Sequence, residues 1–311
     1  MCSSDLIKEP LTGILRPRNF AMLLFGHNVQ LHIPGSVSLL SIYPGTDRSD
    51  PHAERHELAG TLIDQARKLL SLLDTQSFTV FDKNDRLEPN AISFPPKALH
   101  EATVNALVHR DYEMVDPMRI TVFANRIEFL SPGSLPLGID IEDLKAGRAY
   151  AKWRNQTLAW FMNKLELAQA EGQGIKTILR SMRVGGCPPP QFEARQDSVL
   201  CTLYSHPRHA SAKLHQQISR DMVIGDLEHA QMTLAPLLSQ DFRNVETLHL
   251  FVEVQRHLKS GDPIRNFIRA HKDELASFPV LGLSILQSAL NTQDPGDAVL
   301  IALITPHLSR V

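Results

Sequence analysis

The chain has few cysteines, no long apolar run and no excess of either charge. Its three cysteines, Cys2, Cys187 and Cys201, form no CxxC pair, which argues against a disulfide scaffold and a structural zinc site. No apolar stretch reaches the roughly 18 residues of a membrane span, and the N-terminus lacks the regions of a signal peptide. We therefore predict a cytoplasmic protein without membrane contact.

The charge balance limits the classes of partner. A formal net charge of −2 gives no general basic field, so any contact with nucleic acid would need a local patch. An apolar content of 43% in 311 residues suits about two globular domains.

The hydrophobic pattern divides the chain into parts. Residues 21–25 indicate a short apolar helix before Gly26, and VSLLSIY indicates a strand. TDRSDPHAER indicates a polar loop, and residues 56–73 have helical spacing before the charged link DKNDRLEP. This N-terminal part of the sequence is typical of the last elements of a small α/β unit followed by a helical linker.

Residues 94–204 alternate between helical and strand patterns. A helix around Glu101 precedes two strands joined at residues 124–126, two helices near 158–167 and 175–182, and the strand SVLCTLY. This order predicts an α+β fold, an α/β sandwich with helices on one face of a mixed sheet. After SHPRHASAK, which we interpret as a polar linker, six amphipathic segments predict an all-α module. That module could serve protein contacts or dimerisation, or could be a structural extension.

The segment EATVNALVHRD contains an unusual polar stripe. Glu101, Asn105 and His109 recur every four residues in a helix that is otherwise apolar. Because an unpaired buried carboxylate is costly, Glu101 should be protonated, paired or facing a wet cleft. An amide oxygen suits Mg²⁺, and a carboxylate can polarise water for attack on a phosphate. The alternative is a stripe that touches solvent or pairs with Arg110 or Arg126.

Two further segments have properties that suit a ligand site. Gly172 and Gly174 in EGQGI precede an apolar helix, where backbone amides can cradle phosphates or simply begin the helix. SPGSLP, residues 131–136, ends a strand with a tight turn that could border a planar ring or only terminate the strand.

In order, these blocks resemble a known family. ExxxNAxxHRDY, RIEFLSPGSLP, EDLxxG, WRNQTLAWFM, EGQGI and PPPxF resemble the C-terminal ATP-binding region of bacterial transcriptional regulators and RecG-related ATP-dependent helicases. That HATPase_c_4-like region is similar to the GHKL ATPases, which include gyrase, Hsp90, histidine kinases and MutL. Upstream, RPRNFAMLLFGHNVQLHIPGSVSLLSIYPGTDRSD resembles the end of an AlbA_2 or Schlafen-like DNA-associated domain. The resemblance implies an AlbA_2-like remnant at 1–55, a helical linker at 56–93, a GHKL-like ATP-binding domain at 94–207 and a helical module at 208–311.

The resemblance assigns roles to individual residues. It implies that Glu101 is the general base that orients water and that Asn105 is the Mg²⁺ ligand. Gly172 and Gly174 match a glycine box near the phosphates. The lid-like segment contributes Arg154 and Asn155, with the arginine suited to a phosphate contact. For His109, Arg110 and Asp111 a salt-bridge cluster at the helix end is expected.

One position departs from the GHKL pattern. Where those enzymes use an Asp in a DxG box to bind the adenine amino group, this chain has Ser131, Pro132 and Gly133. A serine can accept a hydrogen bond but adds no carboxylate, so binding of nucleotide is favoured over its hydrolysis.

The sequence thus predicts an ATP- and Mg²⁺-responsive regulator whose nucleotide alters dimerisation or DNA engagement. Its expected partners are ATP, DNA through the incomplete N-terminal domain, and a second copy or another protein through the tail. The alternative is a degenerate scaffold that uses no nucleotide. A metal hydrolase built on His100, His109 and Asp111 is disfavoured, because positions 100 and 109 fall on opposite faces of a helix.

Overall fold

The computed structural model describes residues 6–48, 53–80, 91–150, 152–167 and 173–309. The chain divides into two compact units, Met1–Ala210 and Ser211–Val311. This division lies close to the predicted boundary at residue 207, and the domain limits at 55, 93 and 207 stay predictions. The charged link at 82–89 and Cys2 lie outside the described residues.

The first unit combines short strands with helices. Its strands are β1 (Leu6–Lys8), β2 (Leu15–Pro17), β3 (Ser38–Ile42), β4 (Glu54–Leu58), β5 (Thr79–Val80), β6 (Ala91–Ile92), β7 (Met118–Val122), β8 (Arg126–Pro132), β9 (Gln191–Ala194) and β10 (Ser198–Tyr204). Its helices are α1 (Asn19–Phe25), α2 (Val29–His32), α3 (Leu62–Asp74), α4 (Pro96–His109), α5 (Ile141–Lys145), α6 (Gln156–Lys164) and α7 (Gly174–Val184).

Six strands form a mixed sheet in the order β4-β3-β7-β8-β10-β9. Only the pairing of β3 with β7 is parallel among its described pairs, and the other neighbours run antiparallel. The predicted α+β class and mixed sheet are therefore confirmed. Strand β3, in the segment assigned to an AlbA_2-like remnant, is hydrogen-bonded to β7 of the segment predicted to bind ATP. The AlbA_2 assignment itself stays a prediction.

Helix α4 is at the centre of the first unit. Pro96 occupies its first turn, where a missing N–H costs nothing. Nearly all its later side chains are buried, and it packs against α3, α6, α7 and β8. The apolar surround predicted for this helix is confirmed, so its polar stripe needs a specific environment.

Several local predictions were wrong. The helix expected from residue 56 begins at Leu62, because residues 54–58 form edge strand β4. An edge strand tolerates the charged pattern ERHEL since its side chains are largely exposed. The stretch interpreted as a polar linker begins helix α8 at Pro207. There His209 is 3% exposed and packs edge-on against Phe78, which explains why polar residues are buried in this turn.

The second unit is all-helical within its described residues, as predicted. It contains most of α8 (Pro207–Ile224), then α9 (Leu227–Gln240), α10 (Val245–His257), α11 (Asp262–Ala270), a 3-10 helix (Lys272–Ser277), α12 (Val280–Ser288) and α13 (Pro295–Leu308). α10 packs against α9 and α12, and α13 packs against α11 and α12. Among the residues described here, no helix has both the length and the apolar character needed to cross a membrane.

Candidate functional site

The polar stripe of α4 lies along the wall of a cavity. Glu101, Asn105 and His109 all line it, whereas His100 points elsewhere and bonds Asp74 of α3 at 2.7 Å. The opposite orientation of positions 100 and 109 is thus as predicted. Over the described ranges, no cluster of three or more His, Cys, Asp or Glu side chains could hold a metal ion.

Glu101 and Asn105 meet the beginning of α7. Glu101 is only 7% exposed, and Asn105 Nδ2 donates to its Oε1 at 3.3 Å. A methyl group placed on Gly174 would lie 2.2 Å from that same oxygen. A side chain at position 174 would therefore force the carboxylate or the helix to shift. The first turn of α7, where backbone N–H groups have no partner within the helix, thus lies against the carboxylate and amide of α4.

The cavity has a volume of about 360 Å³ and a mixed lining. Its floor is one face of the sheet, since Val199 pairs with Ser131, and Cys201 pairs with both Phe129 and Phe192. Its walls come from α4, α6, α7 and the segment 133–153, which carries α5. An apolar floor with a few polar groups converging at one side is the usual character of a small-molecule site.

Ser131 and Gly133 lie at the end of β8 and also line the cavity. Ser131 is buried and its hydroxyl donates to the Ala106 carbonyl at 2.8 Å, so its remaining lone pairs can only accept. Gly133 has a φ of +106°, and a methyl group there would lie 2.7 Å from Asp111 Cβ. The tight turn is therefore packed directly against the end of α4.

Arg154 and Asn155 hold that same end. Arg154 Nη1 pairs with Asp111 Oδ2 at 3.1 Å, and its Nη2 donates to the Ser134 carbonyl at 2.7 Å. Asn155 Nδ2 donates to the carbonyl groups of Val108 and Arg110 at 2.8 and 2.7 Å. Neither residue is among those that line the cavity. Their described bonds join the lid-like segment to α4, and a direct ligand contact stays a prediction.

Arg110 has a structural environment. It is fully buried, its guanidinium donates to the carbonyl groups of Val37 and Asp116, and its Cζ lies 5.0 Å from the Tyr112 ring centroid. Burial lowers its pKa from the ordinary value. Arg126, the other suggested partner for Glu101, donates to Glu128 and to the Thr46 carbonyl. The salt-bridge cluster expected of His109, Arg110 and Asp111 differs from the observed arrangement, because Asp111 pairs with Arg154 and Arg110 donates to the carbonyl groups that precede β3 and β7.

His109 is neutral at physiological pH. Burial, and secondarily the positive charge of Arg154, lower its pKa from 6.5 to about 4. Burial likewise raises the pKa of the Cys201 thiol in the cavity floor to about 12. Neither group therefore contributes charge to the cavity near pH 7.

The sequence reasoning missed part of the lining. Trp153 and Trp160 face the cavity, together with the lysines Lys152 and Lys176. The available signal was composition, because these are the only two tryptophans in the chain and they lie seven residues apart. Gly172, predicted to lie near the phosphates, is outside the described residues.

One comparison with known proteins bears on a nucleotide site. The model of a family described as "Putative ATP-dependent DNA helicase recG C-terminal" matches residues 116–203. This match covers β7 to β10 and suggests ATP binding, but it is less than half of the chain and excludes α4. A search of curated proteins found no match.

One similar solved structure is the crystal structure of the DIP2311 protein from Corynebacterium diphtheriae. It has a TM-score of 0.47 and 21% identity, with 75% of this chain and 46% of that chain covered. The present chain therefore spans less than half the length of that protein.

Proposed function

We propose that the first unit binds ATP with Mg²⁺ in the cavity between α4, α7 and the sheet. The observation that carries this proposal is the convergence of Glu101, Asn105 and the first turn of α7 on one wall of the cavity. A helix N-terminus attracts phosphate because its N–H groups and its dipole both favour negative charge. Lys176, in the first turn of the same helix and also lining the cavity, adds a positive charge.

The donor set suits magnesium better than a metal held by protein alone. Mg²⁺ keeps several waters and takes one or two protein oxygens plus the phosphates of its nucleotide. Asn105 directs its amide nitrogen toward Glu101, which leaves its oxygen available as the proposed ligand. Bound ATP would supply the remaining oxygen ligands and the phosphoanhydride bond.

Glu101 is the candidate general base for hydrolysis. Its carboxylate is fixed between Asn105 and the beginning of α7, so it can orient a water molecule with little loss of entropy. Gly174 lets the Glu101 carboxylate approach the beginning of α7, and Gly172 is assigned to the phosphates by resemblance. Ser131 and Gly133 would border the base, with the Ser131 oxygen accepting a hydrogen bond.

The proposal extends to regulation by the bound ligand. The segment 133–153 lines the cavity and is attached to α4 through Arg154 and Asn155. A ligand in the cavity would therefore favour one arrangement of this lid-like segment. We propose that this change is what alters dimerisation or DNA engagement, with residues 1–55 resembling the end of an AlbA_2-like domain.

Titration calorimetry with ATP, ADP and GTP, each with and without Mg²⁺, is the direct experiment. We expect Asn105→Ala to weaken the Mg²⁺-dependent part of ATP binding, because it removes the amide oxygen. Glu101→Gln, which is nearly isosteric, should keep binding and abolish any turnover. Equal turnover in wild type and Glu101→Gln would reject the assigned base.

A nucleotide-independent scaffold is the second candidate. It is favoured by the absence of a carboxylate at the base end, where Ser131 already bonds the Ala106 carbonyl. It predicts no heat with any nucleotide and no ligand effect of Asn105→Ala.

A further inference from the structure

Both tryptophans of the chain are at the same cavity. Positions 153 and 160 hold the only two tryptophans among 311 residues, and both line the candidate site. They remain partly exposed, Trp153 by 36% and Trp160 by 55%. Large aromatic faces that border a cavity without being covered are suited to stacking on a planar ligand.

Trp153 adjoins Arg154, whose Cζ would lie 3.5 Å from a methyl group on Gly133. The adjoining Arg154 donates to the Ser134 carbonyl at 2.7 Å and pairs with Asp111. These bonds fix the backbone that carries the indole. The chain at Trp153 is therefore tied to the turn that follows β8.

Trp160 is held in place by an aromatic cluster. Its ring packs edge-on against Phe161 at 4.9 Å between centroids, and Phe161 packs edge-on against Phe25 of α1 at 5.7 Å. Lys164 Nζ lies 5.7 Å from the Trp160 ring centroid. Because α6 is anchored in this way, the indole is pre-organised and loses little freedom when a ligand stacks on it.

The charges at the same cavity favour an anionic ligand with a planar ring. Lys152 and Lys176 both contribute to the lining. A nucleotide combines the required features, since its phosphates suit the lysines and the beginning of α7 while its base suits the indoles.

We propose that Trp153 and Trp160 form a stacking platform for the nucleobase. This inference rests on the proposed function and makes the base, in addition to the phosphates, a main source of affinity. Every base has a π-face, so stacking discriminates weakly between bases. Ser131 and Ser134 supply hydroxyl groups to the lining near the end of β8, and hydroxyl groups can donate to or accept from either purine. We therefore expect Mg·ATP and Mg·GTP to bind within about 10-fold of each other, which corresponds to about 1.4 kcal/mol.

Tryptophan fluorescence tests the platform directly. Trp153→Phe and Trp160→Phe each leave one tryptophan as the sole reporter and retain an aromatic face. We expect Mg·ATP and Mg·GTP to quench the emission of both single-tryptophan proteins. Inorganic tripolyphosphate, which has the phosphates without a base, should bind and leave the emission nearly unchanged.

Calorimetry then separates the base from the phosphates. We expect Trp153→Ala and Trp160→Ala each to weaken Mg·ATP binding about 10-fold and to leave tripolyphosphate affinity unchanged. The matched control is Leu137→Ala. Leu137 lies within the segment 133–153, but its side chain is 91% exposed and does not line the cavity. Thermal unfolding of each variant verifies that it is folded. If an Ala variant is not folded, the fluorescence of the two Phe variants still tests the platform.

The outcomes are distinct. ATP that binds without quenching either tryptophan, or equally well to the Ala variants, overturns the platform and leaves the phosphate site intact. No heat with ATP, GTP or tripolyphosphate refutes the proposed function and the platform together. Quenching by a single-stranded oligonucleotide in a protein that binds no mononucleotide would overturn the proposal in favour of a nucleic-acid site.

Discussion

Gly174 offers the sharpest test of the geometry at the candidate site. An alanine there would bring its methyl carbon to 2.2 Å from Glu101 Oε1 and 2.9 Å from Asn105 Nδ2. Heavy atoms cannot approach so closely, so Gly174→Ala must displace either the Glu101 carboxylate or the first turn of α7. Both alternatives disturb the wall to which we assign the phosphates and Mg²⁺.

The size of the effect follows from two opposing terms. Replacing glycine by alanine in a helix gains up to about 1 kcal/mol. Extra volume in a packed site costs about 1–3 kcal/mol, and a shift of the buried Glu101 carboxylate would disturb its hydrogen bond with Asn105. We expect overlap to win, with a net loss of about 1 kcal/mol in the free energy of unfolding. In a unit of this size that lowers Tm by about 2–4 °C.

The assay combines thermal unfolding with calorimetry of Mg·ATP. Beside the loss of stability, we expect nucleotide affinity to fall about 10-fold or more, as when the support of a metal ligand is disturbed. Gly45→Ala is the matched control, because a methyl group there meets no atom within 4 Å.

A double-mutant cycle identifies the cause. Glu101→Ala removes the oxygen that overlaps the new methyl group, so Gly174→Ala should destabilise this background less than the wild type. An equal loss of stability in both backgrounds, or wild-type Mg·ATP affinity in Gly174→Ala, would refute the proposed contact between α4 and α7.

Three further predictions concern stability. Because the pKa of His109 is lowered to about 4, the unfolded chain binds a proton at this residue before the folded protein does as pH falls below about 6.5. Urea titrations should therefore show that the free energy of unfolding falls by about 2 kcal/mol between pH 7 and pH 5, and that this loss is absent in His109→Gln. Asn155→Ala leaves two carbonyl groups at the end of α4 without their donor and should cost about 1–3 kcal/mol by chemical denaturation, whereas Asn155→Asp would restore no donor and should not rescue. In the second unit, Asp297 is 1% exposed and Asp262 is mostly exposed, although both pair with Arg265, so calorimetric unfolding should show a larger drop in Tm for Asp297→Asn than for Asp262→Asn; the reverse order would contradict the assigned burial.

The sequence was most informative where long apolar or amphipathic stretches are separated by turn residues. The apolar surround of α4, the two central strands and the helices of the second unit could all be predicted, because Gly, Pro and polar residues mark the limits of each stretch. Strand β4 was missed because an edge strand has one neighbour and can carry charges at nearly every position. The start of α8 was missed because the burial of His209 depends on Phe78 and Phe94, which lie more than a hundred residues away in the chain.

The candidate site could be predicted only in part. Resemblance supplied Glu101, Asn105, Ser131, Gly133 and Gly174, all of which line one cavity. Contacts that join distant segments left no periodic signal in the chain. The bonds from Arg154 and Asn155 to the end of α4 and the arrangement of the two tryptophans belong to this class, since they arise only after the segments have packed.

The parallel pairing of β3 with β7 has a consequence for folding. Ser38 pairs with Met118 and Ile42 with Val122, so the sheet closes a loop of about 80 residues that contains α4. Pairing over such a separation loses chain entropy before the stabilising contacts form, which slows folding. We therefore expect the β7–β8 hairpin to form early and the cavity to appear late. A nucleotide that binds only the completed cavity would then act chiefly by lowering the unfolding rate of the whole first unit.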